Sequence, residues 1–424
     1  MQRSELISEL VDDAAVFRPV GERVERWSPG RIVCAALLSL TGALIGIDIL
    51  VLGNFPVGEI VLLFALGLVQ FLRIGKTVDN GMSLRTPLIR LLLVCQILAT
   101  LSLVVADLWR ESYPTDYLRG WMRMVLLFLD IVAFATMAAR GQRVLMYFQY
   151  GLIFSGVSLT LHPPLFNDYW KFGFATGVST LVIIGLPKVL FRPLILAALG
   201  ALAVLNVVLS YRSMGVLCGF TGLLSGLMWI DRRWRFKAGL ALLVLAVILL
   251  VVGKSVVLER HGDGASRSDV ERAAMIEAAW EGFVGSPLIG QGSWFSRSNV
   301  MNRFLEIRAI REIASGEGLG FDANSYEGAA IHSQILVSLA EGGLVGGLFF
   351  LVYIGMLCRA LWLRVMVDAW TAMAPIELFV VLNGIYDAFL SPFSGGHRLF
   401  IAFAAVLSVV IISRNACSRP GIAI

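Results

Sequence analysis

The stretch Leu240–Val252 reads LALLVLAVILLVV and contains no polar residue. A strand of a membrane barrel alternates apolar and polar side chains with a period of two, and this run has nothing to alternate with. The helix of a soluble protein would show a polar face, which is also missing. An uninterrupted apolar run of this kind is a helix surrounded by hydrocarbon. Working outward, further apolar runs of about 16 to 24 residues recur along the chain, the length range of membrane-crossing helices. They fall at about 32 to 52, 57 to 74, 87 to 106, 121 to 138, 143 to 161, 171 to 187, 190 to 209, 213 to 230, 236 to 253, 332 to 356, 371 to 389 and 398 to 413. The expected fold is all-α and polytopic, with about twelve transmembrane helices. Residues 1–31 form a cytoplasmic segment, 32–253 carry nine helices, 254–331 form one large periplasmic loop, 332–413 carry three more helices, and 414–424 form a cytoplasmic tail.

Composition agrees with this reading. Of the 424 residues, 58% are hydrophobic and 15% charged, against roughly a quarter charged in soluble domains. This excludes a disordered, secreted or soluble protein. The first 31 residues are polar and mixed in sign, with no short apolar core before a small-residue cleavage site, so no cleavable signal peptide is expected. The five cysteines are scattered and suggest neither a disulfide framework nor a zinc site.

The net charge of +5 could point to nucleic acid in a soluble protein, but in a membrane protein it is a topology marker. With the N-terminus inside, 21 of the 35 basic residues fall in cytoplasmic segments and six in short external ones (Arg110, Arg119, Arg123, Lys171, Arg212, Arg398). The other eight lie in the long segment, which is exempt from the rule. Both termini are therefore expected in the cytoplasm, and nucleic acid is not expected as a partner.

Within the long segment, Ser268-Asp269-Val270-Glu271 has the form of a capping box. Ala273, Ile276, Trp280, Phe283 and Val284 follow at helical spacing until Gly285-Ser286-Pro287. A second helix is expected from about Asn299 to Ser315. An amphipathic pair of this kind lies against the membrane or caps the bundle.

His332 opens the tenth apolar span at the wet end of a helix, where an imidazole stays neutral near pH 7 and can accept a proton. Ser333 follows it, and Gly343 and Gly346 downstream let another helix approach closely. Arg212 and Arg272 are expected on the same side of the membrane. Guanidinium groups bind phosphate oxygens bidentately and suit a pyrophosphate leaving group. The ordinary alternatives are an interfacial histidine, an interfacial anchor and a solvated helix charge. Arg272 would also sit in the first turn of its helix, where a cation is unfavourable for the dipole.

The spacing His332-Ser333, nine residues, Gly343, two residues, Gly346 resembles the signature of the bacterial O-antigen ligase family. The segment from Arg272 to Pro287-Leu288-Ile289-Gly290-Gln291-Gly292 is similar to that family's outer-loop helix and its ending. Tyr211-Arg212-Ser213-Met214-Gly215 is an imperfect match to the family's helix start, because two residues separate the arginine from the glycine. The likeness covers about residues 205 to 350 and the helix layout.

It implies a metal-independent glycosyltransferase of GT-C-like architecture, with no cofactor, in the bacterial inner membrane. The donor would be a glycan on undecaprenyl pyrophosphate, and the acceptor a sugar hydroxyl of lipid A-core or of another glycan. On this reading His332 corresponds to the catalytic histidine, and Arg212 and Arg272 to the arginines that hold the diphosphate. The sequence has no Asp-x-Asp pair for a nucleotide-sugar metal. A polymerase acting on lipid-linked repeat units would share the chemistry.

Asp387, near the outer end of its span, is a further candidate, because intramembrane carboxylates are functional by default. It could orient His332 or pair with Arg398; the ordinary alternative is a structural ion pair. Asp48 and Asp130 have no recognisable partner in the sequence. A transporter or flippase is the competing class, but the halves of the chain differ and no internal repeat is visible.

Overall fold

The computed structural model describes residues 28–50, 54–71, 84–112, 114–155, 170, 174–189, 192–209, 211–241, 264–293, 299–314, 333–391 and 395–417. Most of the apolar run at 240–252, like His332, lies outside these residues. The described chain is almost entirely helical: α1 Pro29–Ala43, α2 Val57–Phe71, α3 Pro87–Trp109, α4 Pro114–Ala138, α5 Gln142–Leu145 and α6 Tyr147–Leu152 come first. They are followed by α7 Ala175–Val189, α8 Arg192–Val208, α9 Arg212–Leu227, and α10 over residues 232–241. Then come α11 Gly264–Gly285, α12 Asn299–Ala314, α13 Gln334–Trp362, α14 Ala374–Leu390 and α15 Gly395–Cys417.

Among the described residues four helices are long and apolar enough to cross a membrane: α3, α4, α13 and α15. That is fewer than the twelve crossings the hydropathy suggests; two of the expected spans are interrupted for local reasons. The first span stops at Ala43, and the chain then turns through a short antiparallel hairpin, β1 Asp48–Leu50 with β2 Asn54–Pro56, before α2. Gly46 and Pro56 supply turn chemistry that a continuous helix would not tolerate. The span at 143–161 breaks into the short α5 and α6, and its last residues lie outside the described set. Shorter apolar helices, among them α1, α2 and α8, accompany the four long ones.

The long helices divide the work of burial unequally. The most apolar stretch of α15 is 83% buried, against 33% for that of α3. The first is a central rod and the second a peripheral helix with most of its apolar surface outward, as in a bundle facing lipid. The rings of Phe134 (α4), Phe148 (α6) and Phe403 (α15) meet in the core with centroids 4.8 to 5.6 Å apart.

Two buried charge clusters tie the bundle together. At one, Arg398 of α15 pairs with Glu59 of α2 through both carboxylate oxygens and stands 3.7 Å from Asp130 of α4. Asp130, without a partner in the sequence, therefore has one in space. At the other, Arg364 holds Glu377 at 2.6 Å, and Arg414 reaches Glu377 and Asp368. Beside them Arg235 donates to the carbonyls of Met228, Ile230, Val365 and Asp368, fastening the end of α9 to the π-helical turn Leu363–Val367 that follows α13. Arg235, Arg364 and Arg414, which the charge count sorts to one face, thus gather at one end of the bundle.

Removing one member of a buried ion pair leaves an uncompensated charge, at a cost of about 3–5 kcal/mol. Arg398→Ala is therefore expected to lower the melting temperature in detergent sharply. Glu59→Gln combined with Arg398→Met is expected to recover much of the loss. Melting followed by intrinsic fluorescence checks both, and an unshifted Arg398→Ala protein would remove the pair from the account of stability.

Candidate functional site

The local geometry begins with a break. Ser333 caps α13, its hydroxyl accepting from the amide of Leu336, and the helix runs regularly to Gly342. At Gly343 the backbone takes φ 65° and ψ −160°, a conformation open to glycine and strained for any residue with a Cβ. A break in an apolar helix frees backbone groups that have no water to turn to. Here the segment Pro287–Gly292 takes them up. Gln291 N donates to Ala340 O (2.8 Å), Gly292 N to Glu341 O (3.0 Å), and Leu344 N donates back to Pro287 O (2.8 Å). Gly290, at φ 84°, comes so close to Glu341 that a Cβ would strike its carbonyl, and a Cβ on Gly343 would strike Leu288 O. Two of the three motifs that carry the family resemblance are therefore one interlocked piece of structure. The partner that approaches Gly343 is the turn Pro287–Gly290, closed by the Gly290 N to Ser286 O bond, rather than the second helix that glycine spacing suggests.

The joint is held from a second side by the facing ends of α3 and α4. Asp107, buried near the end of α3, accepts from the amide and the hydroxyl of Ser293 and from Trp121 Nε1 at 2.8 Å. Arg110 donates to Gly290 O at 3.4 Å, and Ser102 Oγ to Gly342 O at 2.6 Å. Arg123 of α4 forms a buried ion pair with Glu341. None of Asp107, Ser293, Arg123 or Glu341 stands out as a candidate site residue from the sequence. The signal for Glu341 was available, since a carboxylate inside an apolar span invites the same question as Asp387.

The helix that leads into this joint differs from its expected form. α11 starts at Gly264, so Ser268 to Glu271 lie inside it and do not cap it. Arg272 is accordingly in the third turn, where the helix dipole is no longer at issue, and it is exposed. The face turned to the protein is Ala274, Met275, Ala278 and Ala279, packed with Phe304 and Ile307 of α12 and with Val337 and Ala340 of α13. Arg303 links the two outer helices, its Nε 2.6 Å from Glu281, and this hydrogen bond holds the Glu281 carboxyl below its usual range.

The remaining candidates fall as follows. His332 lies outside the described residues; Ser333, its neighbour, is buried at the start of α13. Gly346 lies one turn beyond the break, with no room for a Cβ beside Ser338 O. Arg212 opens α9 and is exposed. Tyr211, just before it, is close enough to Asp387 to feel its charge. Burial first, then the charges of Asp387 and Tyr386, push the Tyr211 phenol up to about 12. Asp387 is buried, accepts from Ser391 Oγ (2.7 Å) and Asn383 Nδ2 (3.3 Å), and stands 4.0 Å from His397 Nε2. It does not pair with Arg398, whose guanidinium is committed to Glu59. The structure thus brings the first turn of α9 to Asp387, and the Arg272 helix to the start of α13.

Long apolar helices, buried ion pairs and a broken helix sealed by an external segment together define a multi-pass α-helical membrane protein. Residues 198–351 match the O-antigen ligase family, so a domain of that family runs from α8 through the break in α13. The match takes in Arg212, Arg272, the 287–292 segment, Ser333, Gly343 and Gly346. No curated protein matches the chain.

If the joint depends on Gly343, Gly343→Ala should raise amide exchange at Gln291, Gly292 and Leu344 by about 5- to 150-fold, since it adds strain of about 1–3 kcal/mol. Asp107→Ala should do the same at Ser293 while sparing Leu344. Hydrogen exchange read by mass spectrometry separates these patterns, and unchanged protection in Gly343→Ala would show that the segment docks without the break.

Proposed function

We propose that the protein is an O-antigen ligase-like glycosyltransferase that moves a glycan from undecaprenyl pyrophosphate to a sugar hydroxyl of lipid A-core at the periplasmic face of the bacterial inner membrane. The observation that carries the reading is the family match over residues 198–351, whose two motif segments are hydrogen-bonded to each other. The end of the bundle that bears this joint, α3's last turn and α9's first turn faces the periplasm, and both termini lie in the cytoplasm. This reading keeps the expectation of about twelve crossings in a GT-C-like arrangement, of which four span-length helices and several shorter apolar ones lie among the described residues.

In this mechanism His332 takes the proton from the acceptor hydroxyl, whose oxygen attacks the anomeric carbon. The bond from that carbon to the pyrophosphate oxygen breaks, and undecaprenyl pyrophosphate leaves. The departing oxygens gain negative charge, which Arg212 and Arg272 stabilise. A pyrophosphate already leaves well, so fixed positive charge is what the reaction requires. The Asp107 and Glu341 contacts keep the helix bearing Arg272 in register with the helix that His332 precedes. Ser333 fixes the first turn of that helix, and Asp387 supports the first turn of α9.

Transfer is measured with purified protein, lipid-pyrophosphate glycan and acceptor. His332→Ala should lose about 10²–10⁴-fold in rate, the usual contribution of a general base. Arg212→Ala and Arg272→Ala should weaken donor use. Unchanged product with His332→Ala overturns the general-base role, and no product with any acceptor favours transport. A deletion strain identifies the acceptor: bare core with accumulated lipid-linked polymer supports the ligase, whereas core bearing one repeat unit means a polymerase.

A further inference from the structure

The outward face of α11 carries the helix's large apolar residues, with Glu281 at its edge paired to Arg303. Ile276, Trp280 and Val284 recur at every fourth residue and are 39%, 52% and 57% exposed, and Leu288 beyond the helix end is 70% exposed. Phe283 packs its ring 5.5 Å from that of Trp280. The inward face is built from alanines and one methionine. This inverts the arrangement of a helix lying on a protein surface in water, where the large apolar residues turn inward.

What covers this ridge follows from where its end is pinned. Leu288 is joined to the broken span through the Leu344 N to Pro287 O bond, and Leu344 and Val345 are themselves exposed on that membrane-crossing helix. Gly290 is held by Arg110, the residue directly after the membrane-length α3, which ends in the exposed Trp109. Tryptophan and arginine at the end of a span mark the level of the lipid headgroups. The C-terminal end of α11 is therefore tied to that level, and its ridge runs on from the outward apolar surfaces of α3 and α13.

We infer that α11 lies side-on in the membrane interface, with Ile276, Trp280, Val284 and Leu288 sunk into the acyl chains of the bilayer. A helix so placed buries its apolar face about 5–10 Å into the headgroup boundary. Arg272, one turn before Ile276, is then held among the phosphates, whatever reaction the protein performs.

Nitroxide labels at residues 276, 280, 284 and 288, placed singly in a cysteine-replaced protein in nanodiscs, test this. Val105 on α3 serves as the lipid reference and Arg233, an exposed residue of α10, as the aqueous one. The expected result is an excess of oxygen over nickel-chelate collisions like that at 105, reversed from that at 233. Nickel-dominated collisions at all four sites overturn the inference. Spin–spin broadening between labels at 280, with both reagents excluded, also overturns it by showing a second copy on the ridge. The readout needs no activity, so it stands apart from the glycosyltransferase reading.

Discussion

A helix buried in a bundle cannot break without repaying its backbone. The break at Gly343 releases the carbonyls of Ala340 and Glu341 and the amide of Leu344, and the segment after α11 supplies a partner to each. The segment after α11 is therefore an obligatory part of the fold, because without it the broken helix would hold unsatisfied polar groups. Everything placed at this end of the molecule depends on the exchange: the docking of α11 and α12, the buried Arg123–Glu341 pair above the break, and the seat of Ser293 on Asp107.

Glycine is needed on both sides of the contact for different reasons. At Gly343 the requirement is conformational, a positive φ inside a helix; at Gly290 it is positive φ together with closeness, since the chain passes against a carbonyl. A spacing motif in the sequence thus encodes a joint between segments some fifty residues apart. In the sequence, His332 immediately precedes the cap of the helix this joint anchors.

Much of this was legible in the sequence. The apolar runs locate the helices, Gly285-Ser286-Pro287 ends α11 where expected, and Asn299–Ala314 is the second outer helix. The likeness to O-antigen ligases falls on the same residues as the family match. What could not be read depends on which face a helix buries and on partners distant in the chain. Ser268 looks like a cap because its neighbours have the right pattern, yet the helix extends a turn earlier. The sequence groups Ile276, Trp280 and Val284 at helical spacing without showing which face of α11 is buried, and the structure turns Ala274, Met275, Ala278 and Ala279 inward against α12 and α13. Arg398 was a plausible partner for Asp387 by proximity in sequence, but Glu59, over three hundred residues away, holds it instead. Hydropathy also counts the first span as continuous where the chain turns into a hairpin.

The grip of Arg235 has a mechanical side. One guanidinium binds the base of α9 and the turn below α13, so the two helices share a fixed foot. α9 rises from it for 16 residues, about 24 Å, to Arg212 at its tip. With the foot clamped, the tip moves chiefly by rocking, and a tilt of only about 5° over that length would carry it about 2 Å. That is enough to make or lose a hydrogen bond. A lever of this kind couples the packing at the foot of α9 to the spacing of groups around its tip, about 24 Å away.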